Sequence, residues 1–179
     1  MTRRSRSLIS AIAGTALLSL SACALNATTP STDQETPPTQ GSGSGLVGFD
    51  PCAFFTPEDL SAAGVSGQGE PVEQLESEPG CSYEGEKVLL TLYKNQQQTT
   101  DSYETSGSWD SYEKFDINGR TAARGISAGS TGQGICNVVV DSGGGVAIIS
   151  ISGILLDDVP EPCQAAEDIA RQVEPRLPR

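Results

Sequence analysis

Four cysteines, Cys52, Cys81, Cys136 and Cys163, lie beyond residue 50, and a fifth, Cys23, stands apart near the start. No pair has the CxxC spacing and the chain has no histidine, so the thiols lack the usual companions of a zinc site. No metal and no cofactor is expected. In an exported chain an even set of thiols implies two disulfides, and four thiols allow three pairings. Cys52 and Cys163 stand in matching contexts, Asp50-Pro51-Cys52 before one helix start and Glu161-Pro162-Cys163 at another. Cys81 and Cys136 each open a strand-like run. Pairing like with like predicts the nested set, Cys52–Cys163 and Cys81–Cys136.

The first 22 residues supply the export context. Arg3, Arg4 and Arg6 precede the apolar stretch Leu8–Leu20, whose 13 residues fall well short of a hydrocarbon core of about 30 Å at about 1.5 Å each. That pattern reads as a secretory signal over 1–22, with general secretion favoured over the twin-arginine route. It ends in Leu20-Ser21-Ala22-Cys23, which resembles the lipobox of bacterial lipoproteins. Cys23 is therefore the expected lipidation site, and two acyl chains on it would hold the protein stably at a membrane. Residues 24–45 are rich in Thr, Ser, Pro and Gly, with Leu25 the sole apolar side chain larger than Ala. They cannot bury enough surface to offset chain ordering. Residues 23–45 are thus expected to be a lipidated cysteine and a disordered tether.

Residues 46–179 suffice for one core. Thr56 is a natural N-cap, Pro57 fits the first helical position, and Gly64 offers a stop. Val88, Leu90 and Leu92 alternate along a β-prone run. Asn118-Gly119 marks one hairpin, and Asp141–Gly145 separates two further apolar runs, Ile135–Val140 and Val146–Ile151. Residues 95–109 are polar, with a short helix expected around Thr100–Thr105. Ala166, Ile169, Ala170 and Val173 share one face of a closing helix. The expected fold is α+β: a curved antiparallel sheet with short N-terminal and C-terminal helices on one face, stapled by two disulfides.

The chain carries 11 basic and 23 acidic residues, a net charge of −12. Cleavage before Cys23 removes three arginines and leaves −15. Nucleic acid is excluded as a partner on charge. Without histidine, every imidazole base and His-based triad is excluded too. Glu70, Glu73, Glu76 and Glu78 sit in a Pro-broken stretch that reads as a solvated face, and Asp157-Asp158 reads as a cap for the closing helix. Gly125–Gly134 lacks the lysine of a phosphate loop and reads as a mobile connection. Lys87, Lys94 and Lys114 have no motif tying them to a serine. Tyr103, Trp109 and Tyr112 form the one aromatic cluster in a polar stretch, either core or a contact surface.

Taken together, the lipobox, the tether, Asp50-Pro51-Cys52-Ala53-Phe54-Phe55-Thr56-Pro57-Glu58, Cys81-Ser82-Tyr83, Cys136 and Glu161-Pro162-Cys163 resemble actinobacterial exported lipoproteins of the domain-of-unknown-function-3558 family. The resemblance spans essentially the whole chain. It implies location, disulfides and fold, and brings no activity. The expectation is a non-enzymatic binding or sensing module on the outer face of the cytoplasmic membrane. Its partners would be the membrane, through Cys23, and an extracytoplasmic protein or small ligand that meets Tyr103, Trp109 and Tyr112. A carboxylate-dependent hydrolase and a purely structural envelope lipoprotein are the alternatives.

Overall fold

A computed structural model describes residues 45–179; the expected signal, Cys23 and the tether up to residue 44 lie outside the described residues. The described chain opens with a 3₁₀ turn, Pro51–Ala53, and a short helix α1, Pro57–Ala62. Thr56 caps α1 as the sequence predicts, in a capping box closed by Asp59. Strands β1 (Glu70–Glu73), β2 (Pro79–Glu84) and β3 (Val88–Asn95) follow, then the short helix α2 (Thr100–Glu104). Strands β4 (Trp109–Ile117), β5 (Arg120–Ser127), β6 (Ile135–Ser142) and β7 (Gly145–Gly153) lead to α3 (Pro162–Val173).

The seven strands form one antiparallel sheet in the order β1-β2-β3-β7-β6-β5-β4. The β4–β5 turn is the expected one: Asn118 and Gly119 both adopt positive φ, and Asp116 accepts from the Gly119 N–H. Alternation in the strands sorts residues to two faces. One register row on the helix-covered face runs Cys81, Leu92, Ile149, Val138 across β2, β3, β7 and β6. Leu90, Leu92, Ile149 and Ile151 are buried there against Ala166, Ala170 and Val173 of α3. Each such side chain contributes about 1.5–3 kcal/mol on burial. The α+β class, with short terminal helices on one face of the sheet, is as expected.

The disulfide pairing is not. The bonds are Cys52–Cys81 and Cys136–Cys163, not Cys52–Cys163 and Cys81–Cys136. The reason lies in strand order. Cys81 in β2 and Cys136 in β6 share a face, but β3 and β7 run between them. Three strand spacings of ~4.8 Å separate them by roughly 14 Å, twice the reach of a disulfide. Cys52 instead meets β2, beside a bond from the Tyr83 hydroxyl to the Pro51 carbonyl (2.9 Å). Cys163, in the first turn of α3, meets β6 beneath it.

Three further expectations change. Glu78 is buried rather than on a solvated face. Asp158 caps a turn ahead of α3, not α3 itself: it accepts from the Leu155 N–H at 2.9 Å, and the helix has no side-chain cap. Gly125, Ile126 and Ser127 belong to β5, and the loop after them is held by Asp110, which accepts from Gly129 N, Thr131 N and Thr131 Oγ1.

Candidate functional site

Tyr103, Trp109 and Tyr112 do come together, on the face of the sheet that the terminal helices leave open. Thr99 and Ser102 form a capping box that starts α2, and α2 carries Tyr103 onto Val139, Val146 and Ile148. Trp109 meets Tyr103 edge-on at 5.8 Å between centroids and Tyr112 at 5.1 Å. The hydroxyls turn inward. Tyr112 donates to the Thr100 carbonyl at 2.9 Å, and Tyr103 donates to the buried Glu78 carboxylate. Asn95 donates to both Glu78 (3.2 Å) and Tyr103 (3.0 Å). Burial, reinforced by Glu78, pushes the Tyr103 phenol far above its ordinary range. Burial also raises Tyr112, with Asp141 adding to the effect. These groups stay neutral and structural at any ordinary pH. The cluster is a second small core, with Tyr103 buried and Trp109 and Tyr112 half-buried.

The buried carboxylates on the opposite face are likewise engaged. Asp59 takes Arg176 at 2.6 Å and Gln172 at 2.8 Å, latching α1 to the end of α3. Burial pushes its carboxyl up, but bonds from the Thr56 backbone, Arg176 and the Thr56 hydroxyl more than offset this and hold it below the ordinary value. Glu167 pairs with Arg124 (3.1 Å) and Arg171 (3.4 Å), and Glu174 with Arg120 (2.7 Å). Among the described residues, no cluster of three or more His, Cys, Asp or Glu is placed to hold a metal ion.

A third region was not singled out by the sequence reading. After β7 the chain makes a turn that leaves Ile154, Leu155 and Leu156 at 45%, 69% and 57% exposure. The turn is firmly built. The Ile154 N–H donates to Lys87 O (3.0 Å), Asp158 N to Leu155 O (3.1 Å), and Gly153 N to Gly134 O (3.3 Å). A Cβ on Gly153 would stand 2.3 Å from the Leu155 carbonyl oxygen, so only glycine permits this path. Two open grooves flank the turn. One, of about 510 Å³, lies between the end of α1, the β2–β3 turn and α3, with Val88, Ile151 and Ile169 in its lining. The other, of about 430 Å³, is lined by Ile126, Ile135, Leu156, Val159 and two prolines. The signal in the sequence was three consecutive large apolar residues just before Asp157-Asp158, where a loop is ordinarily polar.

The turn also has a defined position relative to the chain's entry. Gly45 N donates to Gly143 O in the β6–β7 hairpin, so the described chain enters at that end of β7. The turn leaves the other end of β7, nine residues on, roughly 27 Å away.

The protein is thus a stapled α+β domain whose antiparallel sheet is covered by the terminal helices on one face and by α2 and its aromatic cluster over part of the other. The chain belongs to the family described as a protein of unknown function, DUF3558, whose model matches residues 18–176. No curated protein and no solved structure matches it.

Proposed function

We propose that this chain is a lipid-anchored extracytoplasmic lipoprotein whose domain binds a partner and catalyses no reaction. The carrying observation is the separation along β7 between the chain's entry at Gly45 and the exposed turn Ile154–Leu156. A tether from Cys23 would join the described chain at Gly45, at the opposite end of β7 from the apolar turn, so attachment there does not cover the turn. The lipobox behind a short apolar stretch supports the anchor. The two disulfides suit an oxidising compartment. The non-enzymatic reading is supported by the carboxylates themselves, since Asp59, Glu78, Glu167 and Glu174 are each committed to structural partners.

The anchor is tested by Cys23→Ala in the native host. The variant is expected in the soluble fraction, uncleaved or miscleaved, and the native protein should yield an N-terminal diacylglyceryl-cysteine peptide by mass spectrometry. A Cys23→Ala protein that loses its signal yet stays with membranes after carbonate washing would overturn the anchor. Hydrolysis by the purified lipoprotein, abolished by one Asp, Glu or Ser substitution without unfolding, would overturn the non-enzymatic reading.

A further inference from the structure

We propose that the turn Gly153–Asp158 and the grooves beside it form a docking site for a segment of another envelope protein that carries apolar side chains next to basic ones. This rests on the binding-module reading above and names its surface and the chemistry of its partner.

The apolar half of the argument is the turn. Its backbone is tied to Lys87, Gly134 and Asp158, which fixes the path that presents Leu155 to solvent and sets Leu156 at the edge of the second groove. Ile154, Leu155 and Leu156 together expose roughly 300 Å² of apolar surface, the size of a functional patch on a monomer. The grooves on either side extend it, with Val159 lining both. A binding partner meeting a preformed turn loses less to ordering than one meeting a mobile loop.

The basic half is charge. The linings of the two grooves include Glu86, Asp157, Asp158 and Asp168 against one base, Lys87. The whole chain is at −12. An apolar anchor flanked by Lys or Arg would be attracted to this rim and an acidic one repelled.

Other occupants fit less well. A second copy brings the same net negative charge and the same acidic rim, so like charges would meet across the contact. Anionic lipid headgroups would meet the same acidic rim. The chain's own segment 24–44 has no basic residue and one apolar side chain larger than Ala, Leu25, so it cannot serve as an internal occupant.

The test uses the full lipidated protein in nanodiscs of zwitterionic lipid. The probe is a fluorescent 12-residue peptide alternating Leu and Lys, with an analogue that has Glu in place of every Lys. The wild type should bind the Lys peptide and not the Glu peptide. The double variant Leu155→Ser/Leu156→Ser keeps the net charge and, because both side chains are exposed, the melting temperature; it should bind at least tenfold more weakly. Asp157→Asn/Asp168→Asn should weaken binding severalfold and flatten its salt dependence. Equal binding by the Leu155→Ser/Leu156→Ser variant overturns the proposal, since attraction would then be charge alone. Self-association, or binding to phosphatidylglycerol vesicles, that this variant abolishes also overturns it, in favour of a second copy or a membrane. Photocrosslinking in cells separates the two levels of the reading. Adducts from position 155 to an apolar, basic segment support the site. Adducts from position 112 and none from 155 overturn this surface while the binding module stands, and adducts from neither overturn both.

Discussion

Glu174→Gln tests whether the C-terminal end of this chain is held by charge. Glu174 is 1% exposed, and its Arg120 partner has a side chain 10% exposed. The carboxylate takes Arg120 Nε at 2.7 Å and Asn118 Nδ2 at 3.1 Å. Arg120 also donates to the carbonyls of Asp141 (3.0 Å) and Pro178 (2.7 Å), joining the β6–β7 hairpin to the last residues. Glutamine preserves the shape and an acceptor for Asn118, but leaves the guanidinium buried without a counter-charge. Breaking one side of such a pair costs about 3–5 kcal/mol. The three remaining carbonyl acceptors, those of Asp141, Pro178 and Leu177, put the expectation at the low end, about 3 kcal/mol, a large part of the ~5–15 kcal/mol typical of a domain.

Urea unfolding followed by circular dichroism measures this directly. The pH dependence then fixes the mechanism. Burial pushes the Glu174 carboxyl up, but the bonds from Asn118 and Arg120, with the Arg120 charge, outweigh it and hold the folded value below the ordinary 4.5. A folded value depressed in this way contributes stability that is complete above the unfolded value and is lost as pH falls through the folded one. The gap between wild type and Glu174→Gln should therefore be flat from neutral pH down to about 5 and close below about 4.5. The paired replacement Arg120→Met/Glu174→Leu should be far milder than Glu174→Gln, because no lone charge remains. Equal stability of wild type and Glu174→Gln at pH 7, or a gap that widens on acidification, would refute the reasoning.

Non-reducing peptide mapping should return Cys52–Cys81 and Cys136–Cys163 linked peptides. Replacing either pair by alanine should lower stability by about 3.5 kcal/mol, from closed loops of 29 and 27 residues in the chain-entropy model; a linked Cys81–Cys136 peptide would contradict the strand order itself. Trp109 Nε1 is buried with no hydrogen-bond partner among the described residues, so Trp109→Phe removes an unsatisfied donor together with some ring area. Its unfolding free energy should stay within about 1 kcal/mol of wild type, while Trp109→Ala should cost ~2 kcal/mol or more.

What was legible in the sequence was local. Thr56-Pro57 before an acidic pair starts a helix, Asn118-Gly119 turns a hairpin, and alternation along Val88–Leu92 marks a strand, each by interactions within a few residues. The disulfide pairing failed because it depends on β7 inserting between β3 and β6. That arrangement follows from long-range pairing, which similar flanking sequences do not encode. Glu78 looked solvated because its neighbours are acidic and prolines interrupt them. Its burial comes from α2 carrying Tyr103 over it, 25 residues later. Ile154–Leu156 was passed over for the opposite reason, although three large apolar residues ahead of Asp157-Asp158 were there to be read. Directly after a strand with buried Ile149 and Ile151, more apolar residues look like more strand, until Gly153 and the Asp158 turn redirect them to solvent.

The corrected staples also explain how the apolar turn stays open. α1 and α3 form the two helical walls of the larger groove. Cys52 fastens the chain just ahead of α1 to β2, and Cys163 fastens the start of α3 to β6. Asp59 then latches the walls to each other through Gln172 and Arg176. The turn Gly153–Asp158 is fixed on one side by its bonds to Lys87 and Gly134, and on the other by the Cys163 staple at the start of α3. Each wall is tied by a disulfide at or near its start to a different strand of one continuous sheet, which restrains how far either can shift. The nested pairing would have tied the two helical ends to each other and left both walls free to slide over the sheet. The observed pairing instead restrains the width of the groove, in keeping with the docking surface proposed above.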